Sequence, residues 1–218
     1  MDAFIFPHLS TEKSTAYFAL FRNVENASSL RQRVVKVSTL TDADERVEEE
    51  RDAVNLAFID ARLITSRTHL QTAVHQALLA SSTPNGMRTR SVHSEILFYL
   101  NPTNNITESF KNFGLSDKST SLIVVRIGKP VAPAAPHLRP DQKEMQVQEL
   151  MKDAVIGTIV PLDDPEQGLE SITDWAAVRK LFKLNTEPAV KNASSPEEER
   201  VVVDRIVTSA VAMKSVMQ

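Results

Sequence analysis

The tetrapeptide Met87-Arg88-Thr89-Arg90 is where residue type and spacing point most directly to a ligand. On extended backbone alternate side chains share a face. Arg88 and Arg90 would then present two guanidiniums about 7 Å apart, a spacing that suits phosphates along one RNA strand. Lys111, with Arg62 or Arg67, could extend that patch. The other reading is an exposed basic edge paired with Glu95 or Glu108. Reactive chemistry has no comparable foothold. His69 and His75 lie six residues apart on one helical stretch, so they face different ways and cannot share a metal as an i, i+4 pair would. His8, His93 and His137 are isolated, and Asp163-Asp164 and Glu197-Glu198-Glu199 read as solvated or capping charges. Five glycines, none clustered, exclude a P-loop and a dinucleotide fingerprint, and the absence of cysteine removes thiolate nucleophiles, disulfides and cysteine metal sites. No serine is placed at a strained strand-to-helix elbow. The expectation is a chain that is not an enzyme and needs neither cofactor nor metal.

The elements around the tetrapeptide are sharply punctuated. Glu95-Ile96-Leu97-Phe98-Tyr99-Leu100 is too apolar to alternate and reads as a strand covered on both faces. Asn101-Pro102-Thr103-Asn104 stops it, because proline lacks a donor and Asn and Thr side chains satisfy turn backbone. Asn105 is then a natural N-cap with Glu108 in the capping-box position, Ile106, Phe110 and Phe113 fall on one helical face, and Gly114 ends the helix.

Elsewhere Tyr17-Phe18-Ala19-Leu20-Phe21 reads as a buried strand, and Asn26 or Ser28 can cap a helix carrying Leu30, Val34 and Val37. Val54 to Ile59 reads as a second strand, and Ser121 to Ile127 as a further one rich in β-branched residues. Ser66 caps a helix with Leu70, Val74, Ala77 and Leu78 on one stripe. Helical periodicity returns at Gln142 to Ala154 and again from Ile172 to Leu184 around Trp175, Val178 and Leu181. Between Asp42 and Asp52 seven acidic residues and two arginines give a local balance of −5; against −3 for the chain, the remainder is +2. An acidic insertion at about 38–53, solvated and either helical or disordered, therefore masks a mildly basic body. Pro130, Pro133, Pro136 and Pro140 mark an extended linker at about 129–141. With 42% apolar residues the chain can bury a real core, and no apolar run approaches the ~20 residues of a membrane helix. The expected fold is α/β (α+β): a single domain, 1–218, with a small mixed β-sheet covered by several α-helices.

The last helix carries a second signal. Ser195 caps, Pro196 takes the first position and Glu198 closes the box. Val203, Val207, Ala210 and Val211 supply the stripe a core needs. Val202, Ile206, Met213 and Met217 recur at spacings of four, seven and four and form a second stripe. A helix apolar on two faces is either sandwiched within its own fold or shared with a partner.

Taken together these blocks resemble a known family. Met87-Arg88-Thr89-Arg90, Ser94-Glu95-Ile96, Leu100-Asn101-Pro102, Asn104-Asn105-Ile106 and Phe113-Gly114-Leu115 are similar to the TPRKB family, the kinase-binding subunit of the KEOPS (EKC) complex. Leu20 to Ala27, Leu30-Arg31, Phe58 to Ile64 and Val178 to Leu184 resemble its other blocks, in the same order from about Ala16 onward. The acidic insertion and the proline linker depart from the shorter family pattern. The resemblance implies a non-catalytic subunit of a complex that installs threonylcarbamoyl on the adenosine beside the tRNA anticodon. It implies docking on a small kinase-like ATPase through the C-terminal helix, for which Val202, Ile206, Val207, Ala210, Met213 and Met217 are the candidates. It also implies tRNA recruitment through the 3′ CCA tail, with Met87, Arg88, Arg90, Asn104, Asn105 and Ile106 as candidates. The threonylcarbamoyl-transferase subunit would be met only indirectly. Residence in nucleus and cytoplasm, no membrane association and a link to telomeres are inherited from the same resemblance. The alternative is a pure protein-interaction module that allosterically stimulates a small kinase without contacting RNA.

Overall fold

The computed structural model describes residues 1–10, 14–40, 45–127 and 140–216. Two compact units can be distinguished within the chain: Met1–Asp60 with Gly114–Leu162, and Ala61–Phe113 with Asp163–Gln218. The class is mixed α/β as expected, but every pairing among the described strands is antiparallel rather than mixed.

The first unit holds the sheet, made of β1 (Asp2–Ile5), β2 (Thr15–Arg22), β3 (Ala57–Asp60), β4 (Ser121–Ile127) and β5 (Thr158–Val160). The order is β1-β2-β4-β3, and β5 shares with β1 the outer edge of β2, pairing Leu20–Arg22 while β1 pairs Thr15–Phe18. β2 and β4 are central because their residues are apolar on both faces; all seven positions of β4 are buried. Tyr17, Ala19 and Phe21 of β2 cluster with Phe58, Leu122 and Val124. Onto that face pack Ala27 and Leu30 of α1 (Ala27–Thr39) and Val147, Met151 and Ala154 of α6 (Pro140–Ala154). The strand expected from Val54 begins only at Ala57.

Asn26 precedes α1 but does not cap it through its side chain. Its amide instead donates to Ala154 O (3.0 Å) and accepts from the Ile156 N–H (3.0 Å), tying the start of α1 to the end of α6. The described part of the acidic insertion forms α2 (Glu45–Ala53), and the proline-rich segment from 129 to 139 lies outside the described residues. α2 is anchored by Arg126 of β4. Its guanidinium donates to Asp52 O and Asn55 O, both at 3.0 Å, and to the Asp52 carboxylate at 2.8 Å. A cation on the final carbonyls of a helix satisfies orphan acceptors and complements the helix dipole.

The second unit is helical: α3 (Arg67–Ser82), α4 (Val92–Leu100), α5 (Ile106–Phe113), α7 (Leu169–Ile172), α8 (Trp175–Leu181), α9 (Pro188–Lys191) and α10 (Pro196–Met213). The Ser66 and Ser195 caps are made as expected: the hydroxyls accept from the His69 and Glu198 N–H groups, at 3.0 and 3.2 Å. The helix expected over Ile172–Leu184 is broken. Thr173 and Asp174 separate α7 from α8, and Lys183 takes a left-handed φ of 59° before a short turn at Leu184–Thr186. Val178, Leu184, Val190, Val203 and Val207 form the core that seats α10, with Trp175, Phe182, Val202 and Ile206 partly buried beside it.

The largest correction concerns Glu95–Leu100. It is not a strand but the body of α4, capped by Ser91, whose hydroxyl accepts from the Ser94 N–H at 3.1 Å. Every side chain from Glu95 to Leu100 is buried. A short helix enclosed on all sides loses its polar face, and with it the 3.6 period that separates it from a buried strand.

α10 is pinned to the segment before α3 by a polar chain. Thr65 Oγ1 donates to the Asp204 carboxylate (2.6 Å), and the Thr65 N–H donates to His69 Nδ1 (3.3 Å). With Nδ1 accepting, the ring proton sits on Nε2, which is buried and has no hydrogen-bond partner. Burial lowers the His69 pKa to about 4, and the nearby Asp204 carboxylate opposes that shift.

Two outcomes follow from these anchors. Arg126→Ala removes the donor to Asn55 O and to the Asp52 carboxylate and one of the two donors to Asp52 O, which keeps the Asn55 N–H, and urea unfolding should show a loss of about 2 kcal/mol. For His69, the unfolded imidazole titrates near 6.5 and the folded one near 4, so the unfolded state binds more protons between those values. Stability present above pH 6.5 is therefore lost as the pH falls through this window, by about 3 kcal/mol when complete. His69→Gln should flatten that part of the stability–pH curve, measured by urea midpoints at about pH 7 and about pH 4.5. An unchanged slope would discard His69 as its source.

Candidate interaction surface

The basic tetrapeptide is folded around a buried carboxylate. Glu95 is fully buried; its carboxylate accepts from the Arg88 N–H (3.0 Å), the Thr89 N–H (2.8 Å) and the Thr89 hydroxyl (2.6 Å). Arg88, Thr89 and Arg90 therefore lie in a bend, not on an extended edge, and Glu95 engages their backbone and the Thr89 hydroxyl. The approach to this bend is equally constrained. Asn85 adopts a φ of 55°, and a Cβ on Gly86 would meet Ala80 O at 2.5 Å and Thr83 Cβ at 2.9 Å. Arg88 and Arg90 are exposed and Met87 is half-buried. Burial raises the Tyr99 pKa, Glu95 adds to that effect, and Arg88 opposes it, which places all three in one electrostatic neighbourhood.

The opposite end of α4 carries the asparagine turn. Asn101 is buried; its amide donates to Thr103 O (3.2 Å) and Thr103 Oγ1 (2.8 Å) and accepts from Asn112 (2.9 Å). Asn105 caps α5 as expected, accepting the Glu108 N–H at 3.1 Å, while Glu108 takes the Thr103 hydroxyl at 2.7 Å. Asn104 and Asn105 are exposed. The expected apolar face of α5 divides. Phe113 is fully buried, whereas Ile106 and Phe110 are 40% and 44% exposed.

Lys214, directly after α10, closes this arrangement. Its ammonium donates to Phe98 O, to Asn101 O (2.7 Å) and to Thr103 O (2.9 Å), and lies 3.8 Å from the centre of the Phe98 ring. Burial lowers its pKa to about 8, partly offset by Glu95. Nothing in sequence periodicity singles out this lysine. Its position just past α10 points to the carbonyls of α10 itself, whereas the carbonyls it serves lie at and after the end of α4, so no local signal reports its role.

α10 itself presents two kinds of apolar side chain. Val203, Val207 and Val211 face inward; Val207 is fully buried and offers no surface to a partner, so it drops from the candidate docking set. Val202, Ile206 and Ala210 are half-buried, and Met213 and Val216 are 55% and 79% exposed. Met217 lies outside the described residues. The helix start is fixed by ion pairs from Arg179 to Glu199 and from Arg200 to Glu170, and by Arg200 over the Trp175 ring at 5.8 Å. Among the other predicted basic residues, Arg67 pairs with Asp163 at 2.6 Å and Lys111 is exposed. Among the described residues no group of three His, Asp or Glu side chains could hold a metal.

Residues 21–215 match the family model described as kinase binding protein CGI-121. The chain belongs to this family. Its relatives include proteins named EKC/KEOPS complex subunit CGI121. The Cryptococcus neoformans protein is 32% identical, with 100% of each chain covered. The Neurospora crassa protein is 33% identical, with 91% of each covered, and the Aspergillus fumigatus protein 31%, with 95% of this chain and 93% of the relative covered. The family matched is the one that the blocks from Leu20 to Val178 resemble, and no helix among the described residues is long and apolar enough to cross a membrane.

Glu95→Ala removes the acceptor of the Arg88 and Thr89 N–H groups while leaving the arginines in place and the Thr89 hydroxyl still able to reach Ser91 O at 3.1 Å. Amide exchange at Arg88 and Thr89 should accelerate at least tenfold, with about 2–3 kcal/mol of stability lost. Unchanged exchange at both amides would show that the bend is held by other contacts.

Proposed function

We propose that this chain is a non-catalytic subunit of a KEOPS/EKC complex required for threonylcarbamoyladenosine modification of tRNA. In it, the chain docks on the small kinase-like ATPase and helps recruit tRNA through its 3′ CCA end. The observation that carries the reading is the exposed continuation of the α10 stripe in a chain of the kinase-binding family. Val202, Ile206, Ala210 and Met213 run along one side of the helix beyond its core stripe, with Met213 more than half exposed. Burying such a stripe against a partner helix or sheet is the ordinary way an apolar second face is used. Met217 remains in the proposed docking set as the next member of the same spacing.

For RNA, the supporting geometry is the mounting of Met87, Arg88 and Arg90 at one end of α4 and of Asn104, Asn105 and Ile106 at the other. The nine residues of α4 between them make a helix about 13 Å long. Exposed guanidiniums can meet phosphates, and the exposed asparagine amides and Ile106 can meet bases and sugars of a single strand. A weak RNA contact tethered beside a transferase subunit raises local tRNA concentration without touching the chemical step. The interaction-module alternative has its own support: Glu95 accounts for the shape of the bend with no RNA present.

The test uses the full chain with the small kinase and unmodified tRNA of the same organism. Ile206→Glu with Met213→Glu should weaken kinase binding at least tenfold with tRNA binding retained. Arg88→Glu with Arg90→Glu should do the reverse and lower the salt dependence of tRNA binding by about two in slope. Kinase binding with no measurable tRNA binding would establish the interaction module instead.

A further inference from the structure

Met213 and Lys214 are neighbours on opposite sides of the end of α10. Met213 is 55% exposed and belongs to the proposed docking stripe, while Lys214 is 5% exposed and reaches into the unit. The ammonium of Lys214 holds three backbone carbonyls, those of Phe98, Asn101 and Thr103. Two of these belong to the turn that leads into Asn104, Asn105 and Ile106, the proposed RNA contacts. The turn has no secondary-structure ladder of its own. Its order comes from Asn101, Thr103, Glu108, Asn112 and this cation. A further polar link along α10 is Gln76 Nε2 to Ala212 O at 2.9 Å, which fixes the residue just before Met213 against α3.

We propose that Lys214 is a positioning residue that couples the docking face of α10 to the asparagine turn, so that kinase binding at Met213 and RNA binding at Asn104–Ile106 reinforce each other. This rests on the reading given under Proposed function. A partner seated on Met213 restricts the last turn of α10, and the same restriction fixes the Lys214 ammonium over its carbonyls. The turn is then ordered before RNA arrives, and less conformational entropy is lost on RNA binding. Because coupling between two binding equilibria is reciprocal, bound RNA must tighten kinase binding by the same factor.

The absence of cysteine allows a clean test on the full chain. Lys214→Cys, alkylated in denaturant with 2-bromoethylamine and refolded, restores the ammonium: the thiolate displaces bromide and leaves S-aminoethylcysteine, a close isostere of lysine. Wild type, Lys214→Met, Lys214→Cys and the alkylated protein are compared for tRNA affinity alone, kinase affinity alone, and tRNA affinity at saturating kinase. The kinase's own RNA contacts are common to all four, so differences between them report on Lys214. Wild type should gain at least fivefold in tRNA affinity from the kinase beyond the gain in Lys214→Met. Free Lys214→Met should lose about tenfold in tRNA affinity, with kinase affinity alone within threefold of wild type. Alkylation of the cysteine variant should restore the wild-type pattern. Equal kinase-induced gains in wild type and Lys214→Met, with both folded by circular dichroism, would overturn the coupling alone and leave Lys214 as a helix-end clamp. Failure of the wild type to bind kinase or tRNA would overturn the underlying functional reading instead.

Discussion

A carboxylate buried beyond the reach of solvent needs donors, and Glu95 obtains all of its donors from one short bend. An unpaired carboxylate at that depth would cost several kcal/mol, so the bend at Arg88 and Thr89 is as obligatory to α4 as α4 is to the bend. The first-turn position of Glu95 also places its charge near the positive end of the α4 dipole. At the other end of α4 the requirement inverts: carbonyls need donors, and Lys214 supplies a cation to three of them. One nine-residue helix thus has a buried anion at its start and a buried cation at its end. The exposed groups proposed to meet a partner are mounted on those two fixed points.

The sheet-bearing unit follows the same logic with different parts. β2 and β4 are covered on both faces, so their polar residues are few. Arg126 is buried in β4 and directs its guanidinium to the end of α2, which turns a strongly acidic insertion into an anchored helix. Acidic composition predicts solvation, and the described side chains of α2 from Glu48 to Glu50 are indeed exposed. Attachment was decided by partners outside α2: Arg126, 74 residues along the chain, Arg33 of α1 on Glu50 at 3.0 Å, and Leu40 O, which accepts from Arg51 at 2.7 Å.

The sequence was most legible where structure is local. Ser66, Ser195 and Asn105 were readable as caps because a cap involves residues three apart and a side-chain acceptor that nothing else competes for. Asn26 looked equivalent but was claimed by a partner 128 residues away. The Ile172–Leu184 helix broke at Thr173, whose hydroxyl donates to Ile64 O at 2.7 Å, another contact no local pattern reports. The two stripes of α10 were legible as periodicity, with Val207 on the core side and Met213 on the other; that Val202 and Ile206 of the second stripe are half-buried against their own unit was not, because only neighbouring elements decide which apolar side chains are covered.

By itself the sequence determined the class of fold, the caps of α3, α5 and α10, the two central strands and the family, since these rest on apolar content, capping side chains and the order of short blocks. Tertiary structure decided that Glu95–Leu100 is a helix, that the basic tetrapeptide bends around a carboxylate, and that the asparagine turn is held from the far end of the chain. The physical reason is that hydrophobic periodicity vanishes when a segment is enclosed on every side. A buried charge, likewise, is specified by its partner, and for Lys214 that partner lies up to 116 residues away.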